Sequence, residues 1–330
     1  MLKLGYHDLK QPAYPEGLRT EDRMTENKKE ASAKRMLFVY NPRAGKAKIR
    51  GKLSDIIDVF VREGWSVTIH STQSRGDAKI KVQNRDKGFY DMIVCSGGDG
   101  TLDEVVAGMM LSEERLPIGY IPAGSTNDFA KSLGISSNMV KAAEEMMGGR
   151  IFFCDIGRFN RDVFVYVAAF GIFTEVAYAT DQQLKNTLGH LAYILEGVKS
   201  LSSIQSYIMR VEMDNEAVEG DFILGMVTNS LSVGGFRNIT GKGVELDDGK
   251  FEVLLVKRPV TYVELDNTIA SLVVPKFDSQ CVQYFKTSCL KVYSKEKVSW
   301  TLDGEFGGEH REVVIENQHR LLPIMIGKES

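Results

Sequence analysis

Residues able to handle a phosphate group recur at three places in this 330-residue chain. Ser96-Gly97-Gly98-Asp99-Gly100-Thr101 follows an apolar run, Met92-Ile93-Val94-Cys95, and precedes a segment in which Leu102, Val105, Val106 and Met109 recur at helical spacing. Glycines at a strand-to-helix junction let backbone N–H groups approach an anion closely, and a helix N-terminus favours negative charge. A carboxylate inside such a loop, here Asp99, suits a bound magnesium ion or a hydroxyl that must be oriented. The plain structural alternative is a tight turn with Asp99 as a helix cap. Pro122 to Asp128, after the apolar stretch Pro117 to Ile121, is a second Gly-containing polar loop, and Asn41-Pro42-Arg43-Ala44-Gly45, after Leu37 to Tyr40, is a third. The glycine loop matches neither GxxxxGK[ST] nor GxGxxG, so a nucleotide fold of another kind is required.

Two acidic clusters lie later in the chain. Asp247-Asp248-Gly249 reads either as a β-turn or as paired carboxylates for a hard cation. Glu305, in Leu302-Asp303-Gly304-Glu305, reads on its own as a charge at a hairpin turn.

The elements that must position these residues fall into two halves. From Met36, short β-rich runs alternate with helical spacing: Leu53, Ile56, Ile57, Phe60 and Val61, then Trp65 to His70, Asp77 to Asn84, and a helix around Phe129 to Leu133. Such alternation implies βαβ units and a mostly parallel sheet, whose loops at the carboxyl ends of the strands converge on one crevice. Beyond Ile151 β-type runs dominate, interrupted by one helical insert, Leu184 to Leu201. The second half is therefore expected to be a β-sandwich or barrel carrying a helix.

Residues 1–35 are polar and without apolar periodicity, and are expected to form a loose extension. The expected division is 36–155 for an α/β nucleotide domain, 156–317 for a β-rich domain, and 318–330 for a segment whose apolar run, Leu321 to Ile326, returns to the first domain. Two separate sheets are expected, not one continuous sheet.

Composition narrows the function. A net charge of −3 gives no global field that favours nucleic acid. The four cysteines, Cys95, Cys154, Cys281 and Cys289, lack CxxC spacing and read as free thiols in a reducing cytoplasm. The longest apolar stretch, Val163 to Phe173, is too short to span a bilayer. Met109-Met110 and Met146-Met147 read as core filler, and His190 as a packing residue.

The ordered set of motifs resembles a known family. Asn41-Pro42 with Gly45, Gly97-Gly98-Asp99-Gly100-Thr101 with Glu104, and Pro122-x-Gly124-x-x-Asn127-Asp128-Phe129-Ala130 are similar to the catalytic domain shared by bacterial soluble diacylglycerol kinases, sphingosine kinases and ceramide kinases. Leu188-Gly189-His190-Leu191-Ala192-Tyr193, Gly234-Gly235, Leu246-Asp247-Asp248-Gly249-Lys250-Phe251 and Asp303-Gly304-Glu305 resemble later blocks of the same family. The resemblance runs from about Met36 to the C-terminus.

The resemblance implies an NAD-kinase-like α/β nucleotide-binding domain joined to a β-sandwich-like second domain, with the nucleotide between them. It implies that Asn41, Pro42, Arg43, Ala44, Gly45, Thr72, Gly97, Gly98, Asp99, Gly100, Thr101, Leu102, Asp103 and Ser125 contact ATP. Glu305 would be the general base for a lipid hydroxyl, with Asp99 also catalytic. Asp248, with backbone carbonyls of Glu245 and Lys250, would hold Mg²⁺. Three departures stand out: Ser125 where Thr is usual, Asp103 where Asn is common, and Gly241-Lys242-Gly243-Val244 where Pro and Ala are usual.

The function so implied is ATP-dependent phosphorylation of a lipid hydroxyl, first of all that of diacylglycerol, by a cytoplasmic enzyme working peripherally at a membrane. Transient membrane contact is expected, with Lys185, Lys199, Arg237 and Lys242 as candidates; homodimer formation is left open. The alternatives are a kinase of another lipid alcohol, such as a sphingoid base or monoacylglycerol, and a non-catalytic nucleotide-binding regulator.

Overall fold

Four apolar runs, each followed by a polar loop, build the first half of the chain. The computed structural model describes residues 34–172, 201, 204–214, 216–233, 236–237, 243–273 and 279–328. The expectations for residues 1–33, for the Leu184 to Leu201 helix with Lys185, His190 and Lys199, and for Gly234-Gly235 and Gly241-Lys242 lie outside them.

Strands β1 (Lys34–Tyr40), β2 (Trp65–Ser71), β3 (Met92–Gly97) and β4 (Ile118–Pro122) pair in parallel in the order β2-β1-β3-β4. Alternate side chains of a strand point to opposite faces, and both faces of β1 are apolar. Met36 and Phe38 pack with Ile56, Val59 and Phe60 of helix α1 (Leu53–Arg62). Leu37 and Val39 share a second core with Val82 of α2 (Asp77–Gln83) and with Leu102, Val105, Val106 and Met109 of α3 (Asp99–Met110). The sheet is thus covered on both sides, and the carboxyl ends of all four strands open on one edge. Two short helices follow, α4 (Asp128–Ser132) and α5 (Met139–Met147). The second was not foreseen in the sequence; Asn138 caps it through Val140 and Lys141 N–H groups.

The second half is antiparallel. It comprises β5 (Arg150–Phe159), β6 (Asp162–Phe164), β7 (Val167–Gly171), β8 (Tyr207–Met213), β9 (Ala217–Thr228), the short β10 (Ser232–Val233) and β11 (Phe236–Arg237), β12 (Phe251–Lys257), β13 (Val282–Thr287), β14 (Cys289–Leu302) and β15 (Glu305–Ile326). Helix α6 (Tyr262–Val273), also unforeseen, joins β12 to β13. Phe159, Phe164, Phe170, Phe222, Phe251 and Trp300 form the core of this half, with Trp300 edge-on to Phe159 and Phe170.

The expectation of two separate sheets does not hold. Strand pairing runs unbroken from β13 to β2, because the 22-residue β15 serves both halves. Its first part pairs with β14; a register shift between Gln318 and Leu322, with Arg320 in the left-handed region, then redirects it. Leu322 to Ile326 enter the first half between β4 and β5, where Ile324 pairs with both Ile118 and Phe152. Cys95, Cys154 and Cys281 are buried free thiols, and Cys289 is a partly exposed one.

Candidate active site

The loops after β1, β2, β3 and β4 meet a hairpin of the second half in a cleft of ≈ 400 Å³. Its wall comprises Asn41, Arg43, Ala44, Thr72, Gln73, Ser74, Arg75, Gly98, Gly100, Thr101, Glu104, Gly124 and Glu305.

The loops are locked backbone to backbone. Asn41 N–H donates to Ser96 O (2.8 Å), Thr72 N–H to Tyr40 O (2.9 Å) and Ala123 N–H to Gly97 O (2.7 Å). The Asn41 side chain accepts from Arg43 N–H (2.9 Å) and donates to Thr101 Oγ1 (3.3 Å), joining the first loop to the start of α3. Two glycines are needed for this fit. A Cβ on Gly45, whose φ is +52°, would stand 1.9 Å from Ala123 O, and one on Gly124 would stand 2.5 Å from Gly98 Cα. Glu104 of α3 accepts N–H bonds from Gly76 (2.6 Å) and Ala78 (3.1 Å), and so anchors the 72–76 loop that carries Arg75.

Glu305 arrives from the other half. Leu302 and Glu305 pair across a two-residue turn, Asp303-Gly304, in which both residues have positive φ (51° and 86°). Such a turn matches the twist of its flanking strands, and Asp-Gly suits it. The turn is fixed by Asp303, whose N–H donates to Val167 O (2.8 Å) and whose carboxylate accepts the N–H groups of Val165, Tyr166 and Val167. Glu305 Oε1 lies 3.8 Å from where a Cβ on Gly100 would be, at the N-terminus of α3. Its Oε2 is ion-paired with Arg75 Nη2.

Asp99 is turned away from the cleft. Its carboxylate accepts N–H bonds from Asp128 (3.1 Å) and Phe129 (3.4 Å) and caps α4. Burial, outweighing those bonds, pushes Asp99 up to about 6. Helix α4 in turn grips the second half: Asp128 Oδ1 accepts from Ser232 Oγ (2.7 Å), and Ser132 Oγ contacts Ser230 Oγ (2.8 Å).

Of the residues singled out in the sequence, Asn41, Arg43, Ala44, Thr72, Gly98, Gly100, Thr101 and Glu305 share the cleft wall. Pro42, Gly45, Gly97, Asp99, Leu102, Asp103 and Ser125 do not line it; Leu102 lies in the core and Ser125 is exposed. Gln73, Ser74 and Arg75 were missed, although they follow β2 and the convergence of loops after parallel strands covers them too.

The Asp247-Asp248 turn forms a separate cluster. Asp248 Oδ1 accepts Lys250 N–H (2.9 Å), and Oδ2 lies 2.7 Å from Lys286 Nζ. Lys286 also lies 3.3 Å from Oε1 of the buried Glu252, and among the described residues neither Glu252 oxygen accepts a further hydrogen bond. Burial pushes Glu252 up to about 7 against the pull of Lys286. Among the described residues no three His, Cys, Asp or Glu side chains converge as a metal centre. Two carboxylates face one ammonium, however, and that shortage of positive charge fits an added cation. Asp155, fully buried, ties this turn to β15: it accepts from Gly249 N–H (2.6 Å), Arg320 N–H (2.7 Å) and Asn317 Nδ2 (3.2 Å).

An α/β half that gathers loops at its strand ends, and a sandwich half that delivers a carboxylate to them, define a two-domain phosphotransferase. Residues 35–159 match the diacylglycerol kinase catalytic domain, and residues 166–325 match the YegS C-terminal NAD kinase beta sandwich-like domain. The chain is 34% identical to a diacylglycerol kinase of Bacillus subtilis over 83% of its own length and 91% of that protein's. It is 32% identical to one of Staphylococcus carnosus, over 84% and 90%. A crystal structure of a diacylglycerol kinase from Bacillus anthracis superposes with a TM-score of 0.70 at 21% identity, covering 89% of this chain and 97% of that one. The chain belongs to the diacylglycerol kinase family and is an enzyme of the lipid kinase class.

Proposed function

We propose that the enzyme transfers the γ-phosphoryl group of ATP to the free hydroxyl of diacylglycerol, forming phosphatidic acid. The observation that carries this reading is the delivery of Glu305, by a rigid hairpin, to the glycine loop at the head of α3. ATP lies in the cleft with its phosphates toward Gly98, Gly100, Thr101 and Asn41, where glycines and a helix N-terminus receive negative charge. Glu305 accepts the proton of the lipid hydroxyl as its oxygen attacks the γ-phosphorus, and ADP leaves with the bridging oxygen. A poor nucleophile is thereby made competent without a covalent enzyme intermediate.

The nucleotide and the Asp248 turn each have a place for magnesium in this reading. At the turn, Asp248 with the carbonyls of Glu245 and Lys250 would hold it, beside Glu252. Bound there, the ion would supply positive charge that holds the turn against Glu252 of β12. The sequence division at 36–155, 156–317 and 318–330 is kept as the working domain scheme. No described helix is long and apolar enough to cross a membrane; the enzyme is proposed to work in the cytoplasm and to reach its lipid at the bilayer surface.

The test is a radiolabel transfer screen with ATP and Mg²⁺ over vesicles containing diacylglycerol, monoacylglycerol or a sphingoid base, with NAD as a soluble acceptor. Labelled phosphatidic acid is the expected product. Label on NAD and on no lipid would overturn the reading; label on another lipid alcohol alone would change the substrate.

A further inference from the structure

Two carboxyl groups meet where α3 touches the hairpin, and the arrangement determines which of them carries a proton. Asp303 is 5% exposed. Its Oδ2 accepts Val165 N–H (2.6 Å), and its Oδ1 accepts both Tyr166 and Val167 N–H (2.9 Å each). Three donors aimed at two oxygens identify Asp303 as the ionised, acceptor-only partner. The side chain of Asp103, on α3, lies within hydrogen-bonding reach of it. Two carboxyls share a hydrogen bond only when one of them holds a hydrogen, and Asp303 is already committed as acceptor.

Resting on the reading of Glu305 as the base, we propose that Asp103 is a protonated carboxylic acid that donates to Asp303 and so holds the hairpin carrying Glu305 in register with the glycine loop. Asp103 is thus a positioning residue whose action depends on one proton.

The surroundings favour that proton. Burial and the charge of Asp303 push Asp103 well above the ordinary carboxylate range, and Glu305 from the hairpin and Glu104 from α3 add to the push. Burial raises Asp303 too, while the three amides and Asp103 lower it. Tyr166 stands near both carboxyls. Of the two arginines in this wall, Arg43 and Arg75, Arg75 is engaged with Glu305.

The sign follows. Asp103 holds its proton in the folded protein at a pH where an unfolded carboxyl has lost it. The contact is therefore present at low pH and is lost as pH rises through the raised folded value, after which two adjacent carboxylates repel. An asparagine at 103 would donate from Nδ2 at every pH.

The experiment compares wild type with Asp103→Asn from about pH 6 to about pH 10, reading both the pH profile of kcat, each normalised to its own maximum, and the melting temperature. The alkaline fall in wild-type kcat is expected to move upward by about one pH unit or more in Asp103→Asn. The melting temperature of the variant relative to wild type is expected to climb with pH. Asp103→Leu, which removes the donor at every pH, is expected to lower kcat about 10²-fold throughout, the effect of a misplaced reacting group. Superimposable profiles and a pH-independent difference in melting temperature would overturn the proposal. If no lipid is phosphorylated but the melting difference still climbs with pH, the proton assignment stands and the kinase reading fails.

Discussion

Arg75 and Glu305, separated by most of the chain and carried by different halves of the molecule, form an ion pair across the mouth of the cleft. The guanidinium is largely exposed, and an exposed pair of this kind contributes little to stability. A triphosphate entering the cleft offers Arg75 a stronger, bidentate partner. Nucleotide binding would then leave Glu305 free for the lipid hydroxyl, so in the proposed reaction the pair would couple occupancy of one substrate site to exposure of the base.

Glu305→Gln keeps the shape of the side chain but cannot accept a proton. Single-turnover rates are expected to fall about 10²–10⁴-fold while ATP affinity stays within a few-fold. Near-normal turnover would place the base elsewhere.

Arg75→Ala is expected to split the parameters the other way. Loss of a charge-assisted phosphate contact raises the ATP dissociation constant by about 10- to 100-fold, while the rate at saturating ATP falls much less than in Glu305→Gln. Nucleotide titration followed by single-turnover measurement separates the two. Unchanged ATP affinity would reduce Arg75 to a surface partner of Glu305.

Asp99, raised by burial from 3.8 to about 6, makes a pH-dependent contribution to stability. The folded state binds its proton more tightly than the unfolded state, so its contribution is largest in acid and is lost as pH rises to about 6. Asp99→Asn cannot ionise. Its stability relative to wild type is expected to improve by about 2 kcal/mol between pH 4 and pH 7 in urea unfolding. A pH-independent difference would show that the amides of Asp128 and Phe129 dominate over burial.

Asp155→Ala strips three donors of their buried acceptor. A loss of about 3 kcal/mol or more is expected from chemical denaturation. A loss below about 1 kcal/mol would mean that water replaces the carboxylate.

Magnesium added to the nucleotide-free enzyme is expected to raise its melting temperature through the Asp248 turn, and Asp248→Asn to abolish the response. Equal responses from both proteins would move the cation away from this turn.

Much of this was legible in the sequence because it is local. Apolar periodicity located the strands β1 to β4 and helices α1 to α3, and the glycine loops announced the cleft. Helix α6 was missed although Thr261-x-x-Glu264 is a capping box, in which Glu264 N–H donates to Thr261 Oγ1 (3.1 Å) and Thr261 N–H to Glu264 Oε2 (3.3 Å), because the segment around it is rich in β-formers. The length of β15 was missed for a different reason: polar residues such as Asn317 and Gln318 break its apolar pattern, yet both remain paired with β5, opposite Gly157 and Ile156. Within the site, Arg75 carries no motif, and its meeting with Glu305 depends on the mutual arrangement of β2 and the β14–β15 hairpin. The role of Asp99 toward α4 was equally out of reach, since two loops must close before its acceptors find their donors.

The insertion of Leu322 to Ile326 between β4 and β5 also orders events during synthesis. Strands β1 to β4 can assemble as the first half emerges from the ribosome, but β5 has no place beside β4 until β15 has been made. The nascent nucleotide half must therefore wait with an open edge while the whole second half is translated, and chaperone binding to stalled chains should concentrate on β4 and β5 and cease when residue 326 is released.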